Sequence, residues 1–181
     1  IEFSILEFGQ KFINRSYSEC FFGSEGDVKC YLYHLIARNN EFLQDLKYTN
    51  RYSTKMTTWR LHSELPTFAK VNSKTGRFDI CIINQDDAAK DNLACIEIVW
   101  INGVKESEKS LKEELDKLSN ASNDIENSYI ILLNDRKGFT HKDMDGLRKL
   151  KENHNKVTFF VFDAIKSKIT LDSELIQNAK S

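Results

Sequence analysis

The chain has 181 residues, with 26 Lys and Arg against 27 Asp and Glu, a formal net charge of -1, 40% hydrophobic residues, 7 Gly and 1 Pro. Those numbers describe a soluble globular protein of one ordinary domain, 1–181, and exclude collagen-like, low-complexity and wholly disordered chains. No apolar run approaches a membrane span, and near-neutral charge means that a grip on nucleic acid would need segregated basic side chains.

Ile1, Ile5, Phe8, Phe12 and Ile13 recur at helical spacing and predict an amphipathic helix that ends before Ser16. Ser24-Glu25-Gly26-Asp27 fits an N-cap followed by acidic residues in a first turn, and Val28, Leu32, Leu35, Phe42 and Leu46 form the apolar stripe of a second helix, with Asn39 and Asn40 as its point of weakness. Lys47 to Lys55 reads as a loop, Met56–Leu65 as a strand stopped by Pro66, and Phe68 to Gly76 as a hairpin connection. Arg77–Ile83 and Leu93–Ile101 are rich in β-branched and aromatic residues and predict two neighbouring central strands, separated by the polar insert Asn84 to Asn92.

Val104, Leu111, Leu115 and Leu118 then mark a helix, Tyr129–Leu133 a strand, Met144, Leu147 and Leu150 another helix, and Val157–Phe162 another strand. Strands separated by helices are joined by crossovers and lie parallel, whereas the first three can form an antiparallel meander. The predicted fold is therefore α/β, a mixed central sheet flanked by helices. The stretch from Ile165 to Ser181 takes no assignment from periodicity.

Cys20, Cys30, Cys81 and Cys95 show no CxxC and no regular Cys/His spacing, which argues against structural zinc and against a secreted disulfide framework. Ile rather than Met at position 1, with no signal peptide ahead of the fold pattern, gives the expectation of a domain cut from a longer chain in a reducing, intracellular and cytoplasmic setting.

Asp79 opens one central strand and Glu97 lies within the next, in surroundings where an isolated carboxylate costs several kcal/mol to bury. Two readings stand. Either the pair serves a hard divalent cation, which favours one or two carboxylates plus waters and phosphate oxygens, or each acid pairs with Arg77 or with a helix lysine.

Gly76-Arg77-Phe78-Asp79-Ile80-Cys81-Ile82-Ile83 followed by Cys95-Ile96-Glu97-Ile98-Val99-Trp100 resembles the core of the PD-(D/E)XK, or restriction-endonuclease-like, nuclease superfamily. The resemblance runs from about Ser24 to Asp163 and rests as much on the element order, helix, three strands, helix, strand, as on the short motifs. It implies an α-β-β-β-α-β core whose acids hold Mg²⁺ or Mn²⁺, which activates water and stabilises charge on a scissile phosphate, with a lysine that positions or deprotonates the water. Glu25 extends the match as the glutamate on the helix before the meander, on the same helical face as Val28 and Leu32. Glu64, at the end of the first meander strand, is a further candidate ligand or a solvated edge acid. His34 is a candidate metal ligand by analogy with the viral cap-snatching enzymes of the same superfamily, but its row with Tyr31 and Arg38 reads better as the border of the core.

The motif lysine is absent, since Val99 stands in its place in Glu97-Ile98-Val99. Lys105, Lys109 and Lys112 form a row on the following helix, and Lys112 is the candidate for a displaced catalytic lysine, its stem being long enough to reach inward. The alternative is a degenerate site. No GxSxG, Gly-rich phosphate loop or dinucleotide fingerprint is present, and Trp59 and Trp100 read as core or base-stacking residues.

The expectation is thus a metal-dependent nuclease acting on nucleic acid, DNA before RNA, with Glu25, Asp79, Glu97 and Lys112 catalytic and Asp79, Glu97, Glu25 and Glu64 around Mg²⁺ or Mn²⁺. The other class is a nuclease fold that only binds nucleic acid or protein within a larger defence, mobile-element or repair protein. A homodimer or partner domains of a longer chain are both compatible with the sequence, and no membrane partner is expected.

Overall fold

The computed structural model describes residues 1–14, 24–49, 55–71, 74–84, 92–101 and 104–177. Helix α1 (Glu2–Ile13) buries Ile5, Phe8, Phe12 and Ile13, the stripe its spacing predicts. Helix α2 (Glu25–Ala37) is capped by Ser24, whose hydroxyl accepts from the Asp27 N–H at 3.2 Å. It ends earlier than the stripe to Leu46 suggests. The Asn39 side chain accepts from the Glu41 N–H and turns the chain into a 3₁₀ segment, Asn40–Leu43, because a short amide competes with the helix for backbone groups.

Leu46 instead belongs to strand β1 (Asp45–Thr49), which pairs antiparallel with β2 (Lys55–Trp59) in a separate two-stranded sheet. The segment read as a loop is therefore partly strand, and the strand predicted over Met56–Leu65 is two. The break falls at Arg60, a buried side chain that donates to the Ile83 carbonyl at 3.2 Å and pairs with Glu41 at 2.9 Å, anchoring the corner. Strand β3 (Leu61–Val71) then continues past Pro66, with a shift of its register on the next strand between Pro66 and Lys70. It lies at the edge of the main sheet, where a missing N–H is tolerated, so proline does not stop it.

Strands β4 (Lys74–Ile83) and β5 (Asn92–Trp100) complete an antiparallel meander with β3. Helix α3 (Val104–Ser119) crosses to β6 (Ile125–Asn134) and helix α4 (His141–Asn153) to β7 (Val157–Asp163), and both crossovers place parallel neighbours, as predicted. The unassigned tail supplies β8 (Lys168–Leu171), antiparallel to β7, and a short helix α5 (Asp172–Gln177). The main sheet thus has six strands in the order β3-β4-β5-β6-β7-β8. The chain is α/β with a mixed central sheet flanked by helices.

Each face of the sheet has its own apolar layer. Ile80, Ile82, Ile96, Ile98 and Ile131 pack with α1 and α2, whereas Cys81, Cys95, Ile130, Leu132 and Phe159 pack with α3 and α4 through Leu111, Leu115 and Leu147. Burial on both faces explains why these strands read as nearly continuous apolar runs. Among the described residues no helix is long and apolar enough to cross a membrane.

Candidate functional site

The β4–β5 ladder pairs Cys81 with Cys95 and Ile80 with Ile96, and one step further sets Asp79 opposite Glu97. The carboxylate of Asp79 is fixed by the neighbouring strand, since its Oδ2 accepts from the Ile98 N–H at 2.8 Å. Beside them opens a cavity of about 330 Å³, walled by Glu25, Arg77, Asp79, Glu97, Ile98, Val99, Trp100, Ser110, Glu114 and Lys117. Helix α2 brings Glu25 to it through its first turn, the meander brings Arg77, Asp79 and Glu97, and α3 brings Ser110, Glu114 and Lys117. Glu25, Asp79 and Glu97 therefore share one cavity.

Glu97 is 3% exposed, so its charge needs compensation. Lys117 provides it: Nζ lies 2.6 Å from Glu97 Oε1, donates to the Arg77 carbonyl at 2.7 Å, contacts the Glu114 carboxylate and sits 5.8 Å from the Phe78 ring centroid. Gly76 leaves room for the lysine stem, because a Cβ there would come within 3.3 Å of Lys117 Cδ. Burial pushes the Glu97 carboxyl well above the usual carboxylate range against the pull of Lys117, with Asp79 and Glu114 adding to the rise. Burial alone would lower the Lys117 ammonium, but Glu97 and Glu114 outweigh it and hold the ammonium above its ordinary value.

A second lysine covers Asp79. Lys29, one turn after Glu25 on α2, sets Nζ 3.1 Å from Asp79 Oδ1 and also contacts Glu64. Burial works against the Lys29 charge, but Glu64 and Asp79 prevail and raise its pKa. Glu64 itself is exposed on β3, with φ +57°, and does not line the cavity. The Glu25 carboxyl is raised first by burial and then by Asp79, with Lys29 opposing.

The expectation for Lys112 needs correction. Its side chain is exposed and absent from the cavity wall, and Lys109 is exposed as well; the side chain of Lys105 lies outside the described residues. With about 100° of rotation per residue, the 105–109–112 row falls on one flank of the Leu111–Leu115–Leu118 stripe, and Glu114 and Lys117 fall on the other, which is the flank that turns to β5. Two spacings in the sequence pointed to the residues missed: Glu114 and Lys117 follow Leu111 at three-residue steps, and Lys29 follows Glu25 by four. His34 is exposed and takes no part in the cavity, in keeping with its reading as a border residue. Trp100 lines the cavity and donates from Nε1 to Asp135 at 2.7 Å, whereas Trp59 is half exposed outside it and is not a core residue.

Among the described residues no three His, Cys, Asp or Glu side chains converge as a ready cation cage. The alternative in which helix lysines neutralise the acids is the arrangement seen, with Lys117 and Lys29 in place of Arg77. The donor set still fits a hard divalent ion of the kind that takes one or two carboxylates and completes its shell with water and phosphate. Glu97 Oε1 and Glu114 Oε2 share the one Lys117 ammonium, and four acids face two basic residues around the cavity. No protein-family model, curated protein or solved structure matches the chain.

Proposed function

We propose that the protein is a metal-dependent nuclease, with a restriction-endonuclease-like core, that hydrolyses phosphodiester bonds in nucleic acid, DNA before RNA. The observation that carries this reading is the placement of Asp79 and Glu97 on paired strands beside one open cavity, with the Lys117 ammonium 2.6 Å from Glu97. An acid pair and a lysine at one strand crossing are what hydrolysis of a phosphodiester asks for: oxygen ligands for a cation, and a group that positions a water.

Asp79 and Glu97 would hold Mg²⁺ or Mn²⁺, with Glu25 at the rim on the side of α2, and Glu114 is a further acid in reach. The ion supplies Lewis-acid stabilisation of the phosphate and lowers the pKa of a bound water. The chain's own residues do the rest. The Ile98 N–H fixes Asp79 by Oδ2, and a ligand would take Oδ1 in place of Lys29. Lys117, buried against Phe78, has its three N–H groups on the Arg77 carbonyl, Glu97 and Glu114, and an ion on Glu97 would free one of them to stabilise negative charge developing on the phosphate. Arg77 and Ser110 on the wall are suited to phosphate oxygens.

The ion pairs themselves favour a second reading, a nuclease-like fold that binds nucleic acid or protein and cleaves nothing, because Lys117 and Lys29 already neutralise both central acids. Incubation with single- and double-stranded DNA and RNA in Mg²⁺ or Mn²⁺ separates the two. Cleavage lost in Asp79→Ala supports the nuclease. Binding without cleavage, and no thermal stabilisation by either metal, supports the binding module.

A further inference from the structure

Asp79 has one oxygen engaged by the Ile98 N–H and the other covered by Lys29 at 3.1 Å. Lys29 also contacts Glu64, so one ammonium is shared between an acid at the cavity and an acid outside it. Glu64 sits on β3 between the Ser63–Ile80 and Leu65–Phe78 pairs, beside Asp79, with a left-handed backbone that a non-glycine residue adopts only at a cost of about 1–2 kcal/mol. Such strain persists where the surroundings demand it.

We propose that Lys29 is a built-in competitor cation for Asp79, and that Glu64 is the parking place that retains it when a divalent ion takes Asp79. This rests on the reading of Asp79 as a cation ligand. Lys29 and a divalent ion cannot both sit at Asp79 Oδ1, since their charges repel and each needs that oxygen. The released ammonium needs a partner, and Glu64 supplies one without a change of rotamer partner, because the two already touch. Glu64 is thereby a positioning residue that acts through Lys29 and does not touch the ion.

The test is a set of Mn²⁺ dissociation constants, read by electron paramagnetic resonance of the free ion at fixed ionic strength. The proteins are the full chain, Lys29→Met, Lys29→Gln, Glu64→Gln and the double variant Lys29→Met/Glu64→Gln, with Asp79→Asn as control. The proposal expects Lys29→Met and Lys29→Gln to bind Mn²⁺ about tenfold tighter and Glu64→Gln to bind it several-fold more weakly. It further expects Glu64→Gln to change nothing once Lys29 is gone. Equal weakening by Glu64→Gln in both backgrounds would make Glu64 an ordinary ligand or a plain field charge and overturn the proposal. Unchanged affinity in both Lys29 variants would overturn it too. If instead Mn²⁺ binds the Asp79→Asn control as well as the full chain, the underlying reading of the site fails first.

Discussion

Lys117 Nζ lies 2.6 Å from Glu97 Oε1 while donating to the Arg77 carbonyl, so the helix that follows the acid-bearing strand supplies the cation that the strand itself lacks. Val99 sits two residues after Glu97 on the same strand and lines the same cavity. Position 99, where the proposed nuclease motif would carry a lysine, therefore borders the site with an apolar side chain, and the charge comes from α3.

The pair has a stability signature. Replacing Lys117 by Met strands a buried carboxylate and is expected to cost about 3–5 kcal/mol. Removing both charges, in Lys117→Met/Glu97→Gln, is expected to recover most of that loss, because the fully buried carboxylate is gone and Glu114, which also loses Lys117, is partly exposed to solvent. Urea unfolding of the two single variants and the double variant gives the coupling. Losses that simply add would mean that the two groups are not energetically linked.

The rate signature separates the helix lysines. In saturating Mg²⁺, Lys117→Gln is expected to lower DNA cleavage by roughly ten- to ten-thousand-fold, as removal of a positioned charge-stabilising donor does. Lys112→Ala, on the exposed flank of α3, is expected to leave the rate within about twofold, since a surface charge at that distance is screened. Initial rates on a labelled duplex read both. A large loss in Lys112→Ala beside a silent Lys117→Gln would reverse the assignment.

Two histidines give the fold a pH dependence of defined sign. Burial holds His62 below its ordinary value, against a hydrogen bond that its ring donates to the Trp59 backbone. Burial also lowers His154, with Lys112 assisting and Asp116 opposing. Both are therefore held neutral in the fold and protonate more readily when unfolded. Their contribution is full above the unfolded value near 6.5 and is lost as pH falls through the lower, folded values. His62→Gln is expected to be less sensitive than the parent to a change from pH 7 to pH 5 in urea midpoints. A steeper fall in the variant would contradict the sign.

The packing of α1 on the sheet depends on one missing side chain. A Cβ at Gly9 would come within 2.3 Å of the Phe162 ring, which also meets Phe8 edge-on. Gly9→Ala must move a fully buried ring and is expected to destabilise by about 1–3 kcal/mol despite the better helix propensity of alanine. Thermal unfolding checks this. A stabilised variant would mean that α1 shifts without cost.

What the residues disclosed follows from what their periodicity can encode. Ile96, Ile98, Ile131 and Phe159 are buried on strands covered on both faces, so their apolar runs announced the central sheet and its crossovers. Asp79 and Glu97 stood out because each is an acid in such a run. The split at Arg60 was hidden, since a buried arginine that caps a corner looks like a polar position of an alternating strand. Pro66 misled because edge position, which makes proline harmless, is a tertiary property. Lys117 escaped for a similar reason: which flank of α3 faces Glu97 depends on how the helix lies on the sheet, and the lysine row on the other flank was the more conspicuous pattern.

The central claim is that Asp79 and Glu97 hold a divalent cation, and Mn²⁺ soaked into crystals of the protein tests it most directly through anomalous scattering. The account predicts one strong peak in the cavity, bonded to oxygens of both Asp79 and Glu97, with Lys29 drawn off Asp79 toward Glu64. A cavity without a peak, with Lys117 on Glu97 and Lys29 on Asp79 in saturating Mn²⁺, would contradict it.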